Sequence, residues 1–353
     1  MRIQEDMKEL DNWSSKNTLT ILQHTTFFFI MLALILFAGF REIGFDPDSP
    51  NYASIIESMD LSNFNYLQFN NIEPSFYIIS YLSHWIFDDA IRGTFIIYAL
   101  LGVALKMLAI YRLSRIPLLS VFFYICYYYP LHDLTQIRTG VASAIFLLAI
   151  PDIVNQKRNK YIIKTIIASL FHYQAIIMLL LYPIINAKIG KWFYFVIPIL
   201  GLAFSFLSDY ILDIITTNMF IFNYIPSFLS HKIILYIDLY YKGELNYINV
   251  FNLYYMSLVV IYYFSIINID RFESDLDTIM IKILGLSVFA FPFFSFLPVF
   301  AFRISEFLGI VIMILLASIV CIFKQKSTIV LVVLIYSLIA LCKIIFATAL
   351  FRI

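Results

Sequence analysis

Long apolar runs, separated by short polar segments, follow one another along almost the whole chain. Most of them have about 15 to 25 residues, close to the length that a helix needs to cross the apolar part of a membrane. This pattern predicts an all-α, polytopic integral membrane protein with roughly nine to eleven transmembrane helices. The runs cover residues 20–40, 74–87, 93–111, 117–131, 138–154, 161–185, 191–208, 250–268, 278–298, 302–323 and 327–347.

Composition supports this assignment. Of the 353 residues, 62% are hydrophobic and 13% are charged, and one soluble core of this size could not bury so much apolar surface. We therefore expect residues 1–353 to form a single membrane domain, with residues 1–19 as a polar cytoplasmic tail and the run 20–40 as an uncleaved anchor. The net charge of +1 gives no indication of a nucleic-acid partner.

The three cysteines suggest packing rather than chemistry. Cys126, Cys321 and Cys342 all lie inside apolar runs, and their spacing fits neither a metal site nor a disulfide framework. We expect no metal and no other cofactor.

Two segments are predicted to lie at the outer face, residues 41–92 and 209–249. Within the first, Asp48-Ser49-Pro50 and the spacing of Tyr52, Ile55, Ile56 and Met59 predict a short amphipathic helix on the membrane surface, with Asp48 as its N-cap. The run 74–87 is short for a span, so it is a re-entrant or interfacial helix or a tilted span. Interfacial helices are also expected in 209–249.

The positions of the basic residues predict the topology, because cytoplasmic loops are rich in lysine and arginine. Placing the basic clusters inside puts the turn 131–138 at the outer face. It also requires 161–185 to enter and return as a broken helix hinged near His172. The alternative is a single kinked span, which would place one basic cluster on the outer side, against the charge rule. Lys106 is expected to reach the cytoplasmic headgroups with its side chain. The clusters are Arg112 and Arg115, Lys157 to Lys160, Lys188 and Lys191, and Lys324 and Lys326.

Arg138 and Arg303 begin two inward-running spans at the outer face, although they are far apart in sequence. Two guanidiniums at headgroup depth suit a diphosphate, because arginine pairs with phosphate oxygens through two parallel hydrogen bonds. Each arginine alone could instead contact lipid headgroups or pair with a neighbour, as Glu306 could with Arg303. Polar residues beside Arg138 favour a substrate site, since ionisable groups at membrane depth are usually kept for function. These are His132, Asp133 and Gln136.

Three carboxylates are candidates for a general base that deprotonates a sugar hydroxyl. Asp46 and Glu73 are as well suited to a catalytic role as to a structural one, whereas a capping role is favoured for Asp48. His172 lies next to the predicted helix break, so catalysis and an ordinary buried histidine are equally open for it.

The order of several short motifs resembles the EpsG-like family, which is similar in role to Wzy-type O-antigen polymerases. The motifs are Asp48-x-x-x-Tyr52, Glu73-Pro74-x-Phe76, Gln136-x-Arg138-x-Gly140 and Phe171-His172-x-Gln174, with Arg303 at the start of a late span. Residues 20–185 carry most of the likeness. Gln174 stands where such proteins often have a small hydroxyl residue.

The resemblance implies a polysaccharide polymerase in the bacterial cytoplasmic (inner) membrane that joins undecaprenyl-diphosphate-linked repeat units. Arg138 and Arg303 would hold the diphosphate, Glu73 or Asp46 would act with His172 on the acceptor, and His132, Asp133, Gln136 and Tyr52 would bind substrate. A flippase for lipid-linked oligosaccharides, another polytopic transporter, a membrane acyltransferase and an O-antigen ligase remain alternatives. A chain-length regulator that docks on the outer segment is a further open partner, beside the lipid bilayer itself.

Overall fold

The computed structural model describes residues 2–60, 72–187, 189–224, 227–243 and 248–347. These residues form helices and no strand, so the all-α prediction is confirmed. Residues 61–71, 225–226 and 244–247 of the two predicted outer segments lie outside the described residues. The α-helices are α1 (Arg2–Phe40), α2 (Ser49–Ser58), α3 (Pro74–Ile86), α4 (Ala90–Leu113), α5 (Pro117–Phe123), α6 (Ile137–Val154), α7 (Arg158–Phe171), α8 (Met178–Asn186), α9 (Lys191–Ser205), α10 (Ser208–Thr217), α11 (Ser227–Tyr241), α12 (Leu253–Ile267), α13 (Asp275–Phe293), α14 (Pro298–Gly309), α15 (Ile312–Cys321) and α16 (Lys326–Cys342).

Five of the described helices are long and apolar enough to cross a membrane, and the number rises to seven if each of two bent pairs is one span. The pairs are α9 with α10, bent by 68°, and α14 with α15, bent by 43°. This count is lower than the nine to eleven expected, because several apolar runs fold into short or interrupted helices. Residues 117–131, for example, give only the short α5, followed by a π-helix over Tyr124–Thr135.

One end of the helix bundle gathers the loops that the charge pattern assigns to the cytoplasm. Arg115, after α4, pairs with Glu273 and Asp277 at 3.1 Å. Lys191, at the start of α9, lies 3.5 Å from Asp270 in the same α12–α13 loop. A cleft at this end joins the loop to the ends of α4 and α6 and to Lys164 of α7. The basic loops therefore share one side.

Residues 158–186 form a broken helix whose two arms lie side by side. α7 ends at Phe171, the backbone of the following His172 is extended (φ −153°, ψ 116°), and a 3₁₀ turn over Tyr173–Ile177 leads into α8. The rings of Tyr161 and Tyr182 lie 5.5 Å apart, and the Tyr161 hydroxyl donates to the carbonyl of Met178. These contacts bring the two arms side by side, which a single kinked span would not do.

The α2 helix forms as predicted, but its apolar face packs against the protein rather than the membrane. Tyr52, Ile56 and Met59 are buried, and the Tyr52 ring contacts Phe76 of α3 and Phe95 of α4. Asp48 occupies the N-cap position of α2, as predicted. Its side chain, however, makes no capping hydrogen bond. Asp46 accepts from the amides of Asp48 and Ser49, which lie before and at the start of α2.

Cysteine accessibility tests the topology on which the two faces depend. In a protein without its native cysteines, we expect Ser54→Cys on α2 to react from outside with an impermeant thiol reagent, while Asn159→Cys on α7 does not. Both side chains are exposed, so a difference in labelling reports sidedness rather than burial. Labelling of Asn159→Cys from outside, with Ser54→Cys protected, would contradict this orientation.

Candidate active site

A polar cavity of about 180 Å³ lies at the end of the bundle opposite the basic loops. Four parts of the chain line it: α2 with the residue before it, the first turn of α6, the hinge between α7 and the following 3₁₀ turn, and α14. The nine lining residues are Asp48, Asn51, Tyr52, Ile55, Gln136, Arg138, Thr139, His172 and Arg303.

A buried ion cluster fixes one wall of this cavity. Glu73, the residue before α3, is completely buried, and its carboxylate accepts a hydrogen bond from the Arg138 guanidinium. The other carboxylate oxygen lies 3.2 Å from Nδ1 of His172, and Nε2 of His172 lies 3.0 Å from the side-chain oxygen of Gln174. The cluster thus joins α3, α6 and the hinge of the broken helix.

Two aromatic rings also contact the guanidinium of Arg138. Its guanidinium carbon lies 5.3 Å from the centre of the Tyr52 ring and 5.6 Å from that of Phe76, distances at which a ring face attracts a cation. Arg138 therefore has one carboxylate partner and two ring contacts, while part of its side chain stays exposed to the cavity. The guanidinium is therefore held in position, and its exposed part can contact a ligand in the cavity.

Arg303 brings the second positive charge to the same cavity. It lies on α14, 165 positions after Arg138 in the sequence, and is half-buried. Asp48 lines the same cavity, and its pKa is raised, first by burial and secondly by the nearby charge of Asp46. Arg303 and Arg138 counteract this shift because both attract the ionised form.

Asp46 does not reach the cavity. Its carboxylate pairs with Arg41 at 3.1 Å and accepts from two backbone amides, and only 1% of the residue is exposed. It holds the turn between α1 and α2. The sequence assigned possible catalysis to Asp46 and capping to Asp48, whereas the structure places Asp48 at the cavity and Asp46 in the turn.

His132 and Asp133 also lie away from the cavity lining, inside the π-helix. Both Asp133 carboxylate oxygens lie 2.8 Å from Nζ of Lys106, which donates as well to the carbonyl of Gly140. Lys106 is completely buried, so the prediction that its side chain reaches the cytoplasmic headgroups was wrong. His132 is buried as well, with Nδ1 3.2 Å from the hydroxyl of Ser143.

This internal ion pair sets the position of the first turn of α6. A methyl group on Gly102 would lie 2.5 Å from an Asp133 oxygen, and one on Gly140 would lie 2.9 Å from it. Two glycines therefore let α4 and α6 close around the carboxylate. Gln136, Arg138 and Thr139 precede Gly140 directly, so the ion pair positions the turn that supplies three cavity residues.

The cavity can bind an anion next to a polar ligand. Two guanidiniums supply charge, and Gln136, Asn51 and Thr139 supply amide and hydroxyl groups that suit sugar hydroxyls. Sequence reasoning identified Arg138, Arg303, Gln136, Tyr52 and His172, all of which line this cavity. It missed Asn51 and Thr139, for which no signal beyond closeness to Tyr52 and Arg138 was present. Among the described residues, no group of three or more His, Cys, Asp or Glu side chains is placed to hold a metal ion.

The Lys106–Asp133 pair gives a stability prediction. Lys106→Met should lower stability by roughly 3–5 kcal/mol, because it leaves a buried carboxylate without its cation. Adding Asp133→Asn should restore part of the loss, since the amide keeps the shape but removes the charge. Thermal unfolding of the purified protein measures both effects. An unchanged midpoint for Lys106→Met would contradict this account.

Comparison with known proteins adds one finding. No curated protein and no solved structure matches this chain. The model of the EpsG family matches residues 24–351, which include every residue of the cavity and both ends of the helix bundle. The chain therefore belongs to the EpsG family, which is related to the Wzy-like polymerases.

Proposed function

We propose that this protein is a polysaccharide polymerase that joins undecaprenyl-diphosphate-linked oligosaccharide repeat units at the outer face of the bacterial cytoplasmic membrane. The observation that carries the proposal is the pair of arginines, from α6 and α14, that meet in one polar cavity at the end opposite the basic loops. Membership of the EpsG family supports a role in polysaccharide synthesis. The product would be an O-antigen, a capsule or an exopolysaccharide.

In the proposed reaction, Arg138 and Arg303 bind the diphosphate of the donor. Departure of the lipid diphosphate concentrates negative charge on phosphate oxygens, and cations fixed in place before the reaction stabilise that charge best. Arg138 meets this requirement, because Glu73 and the Tyr52 and Phe76 rings hold its guanidinium. An arginine also stays protonated in a partly apolar site, unlike a lysine.

Glu73 and His172 then serve mainly to position Arg138. Glu73 is buried and contacts both Arg138 and His172, so its oxygens are directed into the cluster rather than into the cavity. His172 borders the cavity and joins Glu73 to the hinge of the broken helix. Gln136, Tyr52, Asn51 and Thr139 provide the polar contacts for the sugar. His132 and Asp133 have a structural role, in the buried contacts next to the first turn of α6.

The acceptor would attack the anomeric carbon of the donor sugar in a single displacement with inversion. The lipid diphosphate is both the activating group and the leaving group, so the reaction needs no nucleotide sugar at the outer face. The lipid tails of the substrates would remain in the surrounding bilayer.

Surface glycan length in a strain that lacks the protein tests this proposal. Loss of a polymerase should leave single repeat units on the cell surface, because their synthesis, export and attachment continue. Loss of a flippase should instead remove the surface glycan altogether. Electrophoresis of the surface glycan distinguishes the two patterns, and complete loss of glycan would overturn the proposal.

Conservative arginine replacements test the diphosphate contact. Arg138→Lys and Arg303→Lys keep the positive charge but lose the planar group that forms two parallel hydrogen bonds, so each should lose most activity. Arg112→Lys, an exposed arginine at the opposite end, is the matched control and should retain activity. Glycan chain length at equal protein levels is the measurement. Normal polymerisation by Arg138→Lys would reduce Arg138 to a structural partner of Glu73.

A further inference from the structure

Three carboxylates lie near the cavity, and their surroundings differ. Asp46 is 1% exposed, and its two oxygens are used by Arg41 and by the amides of Asp48 and Ser49. Glu73 is completely buried and is engaged by Arg138 and His172. A base must come within hydrogen-bond reach of the proton that it removes. Asp46 and Glu73 are both buried and neither lines the cavity, so neither is placed to meet an acceptor hydroxyl there.

Asp48 differs from both. It lines the cavity and is half-buried, and its side chain makes no capping hydrogen bond to α2. Within the described part of the chain, its carboxylate makes no hydrogen bond to another residue. Asp46 holds the backbone amide of Asp48, so the turn is fixed while the Asp48 carboxylate remains available.

The position of Asp48 also relates it to the two arginines. Arg303 and Arg138 are both close enough for their charges to act on the Asp48 carboxylate, and all three residues border the same space. A substrate whose diphosphate lies on the arginines would therefore have its reacting carbon near Asp48, so that an acceptor hydroxyl could approach between them.

We propose that Asp48 is the general base that deprotonates the acceptor hydroxyl. This inference rests on the proposed polymerase function. The acceptor oxygen forms a bond to the anomeric carbon of the donor as the bond from that carbon to the diphosphate oxygen breaks. The hydroxyl proton moves to the Asp48 carboxylate, and the electron pair of the broken bond leaves with the lipid diphosphate, where Arg138 and Arg303 stabilise it. Asp48 then returns the proton to water.

The surroundings of Asp48 fit the role of a proton acceptor. Burial and the charge of Asp46 raise its pKa, while Arg303 and Arg138 act in the opposite direction, and the net shift is upward. Tyr52 and His172 are the other titratable groups that border the cavity. A raised pKa makes the carboxylate a stronger proton acceptor than an ordinary aspartate.

The competing role is that of a counter-ion for Arg303, and steady-state kinetics separates the two. If Asp48 is a base, Asp48→Asn should lower kcat by about 10²–10⁴-fold without raising KM, because removing a negative charge beside two arginines does not weaken diphosphate binding. If Asp48 is only a counter-ion, Asp48→Asn should keep kcat within about tenfold of the parent, below the smallest effect expected of a base.

The experiment uses the full-length protein in lipid vesicles with purified undecaprenyl-diphosphate-linked repeat units. Asp48→Glu, which keeps the carboxylate, should recover part of the activity lost in Asp48→Asn. Glu57→Gln, an exposed acid on the same helix, is the control and should behave like the parent. The thermal midpoint of Asp48→Asn should equal that of the parent, because this substitution breaks no described side-chain hydrogen bond.

The pH profile gives an independent readout. Because the base must be ionised, kcat of the parent should rise with pH through the Asp48 pKa and then level off, and Asp48→Asn should lack this rise. A kcat for Asp48→Asn within about tenfold of the parent, or an unchanged rise with pH in that variant, would overturn the assignment and leave the polymerase proposal intact. Failure of the parent protein to join the repeat units would instead overturn the polymerase proposal.

Discussion

The ion cluster of Arg138, Glu73 and His172 is the interaction on which the rest of the site depends. A guanidinium near membrane depth must have partners, because an uncompensated charge in an apolar setting is costly. The partners come from α3 and from the hinge between α7 and α8, which are far from Arg138 in sequence. Satisfying one charge therefore brings three parts of the chain together. The cavity is the space left on the open side of the cluster.

The helical hinge follows from the same requirement. Extended backbone at His172 leaves helical hydrogen-bonding groups without their usual partners, and this is tolerated at membrane depth only where protein or a polar cavity surrounds it. Here the interruption places an imidazole between Glu73 and Gln174. The break after α7 is thus part of the site.

The sequence predicted the site best where an ionisable residue stood beside an apolar run, because such a residue needs a partner or a polar cavity. Arg138, Glu73 and His172 stood out as ionisable groups beside apolar runs, and the structure joins them. The sequence favoured capping for Asp48 and left Asp46 open as a base. Both residues lie in the short loop after α1, and only the backbone path decides which carboxylate faces the cavity. The pairing of Lys106 with Asp133 could not be predicted from the sequence either. It depends on the rotation of α4 against a π-helix whose wide turns shift the helical register, and no spacing in the sequence reports that rotation.

The most direct test of the account is polymerisation by the purified protein in vesicles supplied only with undecaprenyl-diphosphate-linked repeat units. The account predicts a ladder of glycans, with one lipid diphosphate released for every glycosidic bond formed and no need for a nucleotide sugar. Repeat units that cross the bilayer without being joined, or that stay unchanged while the protein is folded and binds them, would contradict it.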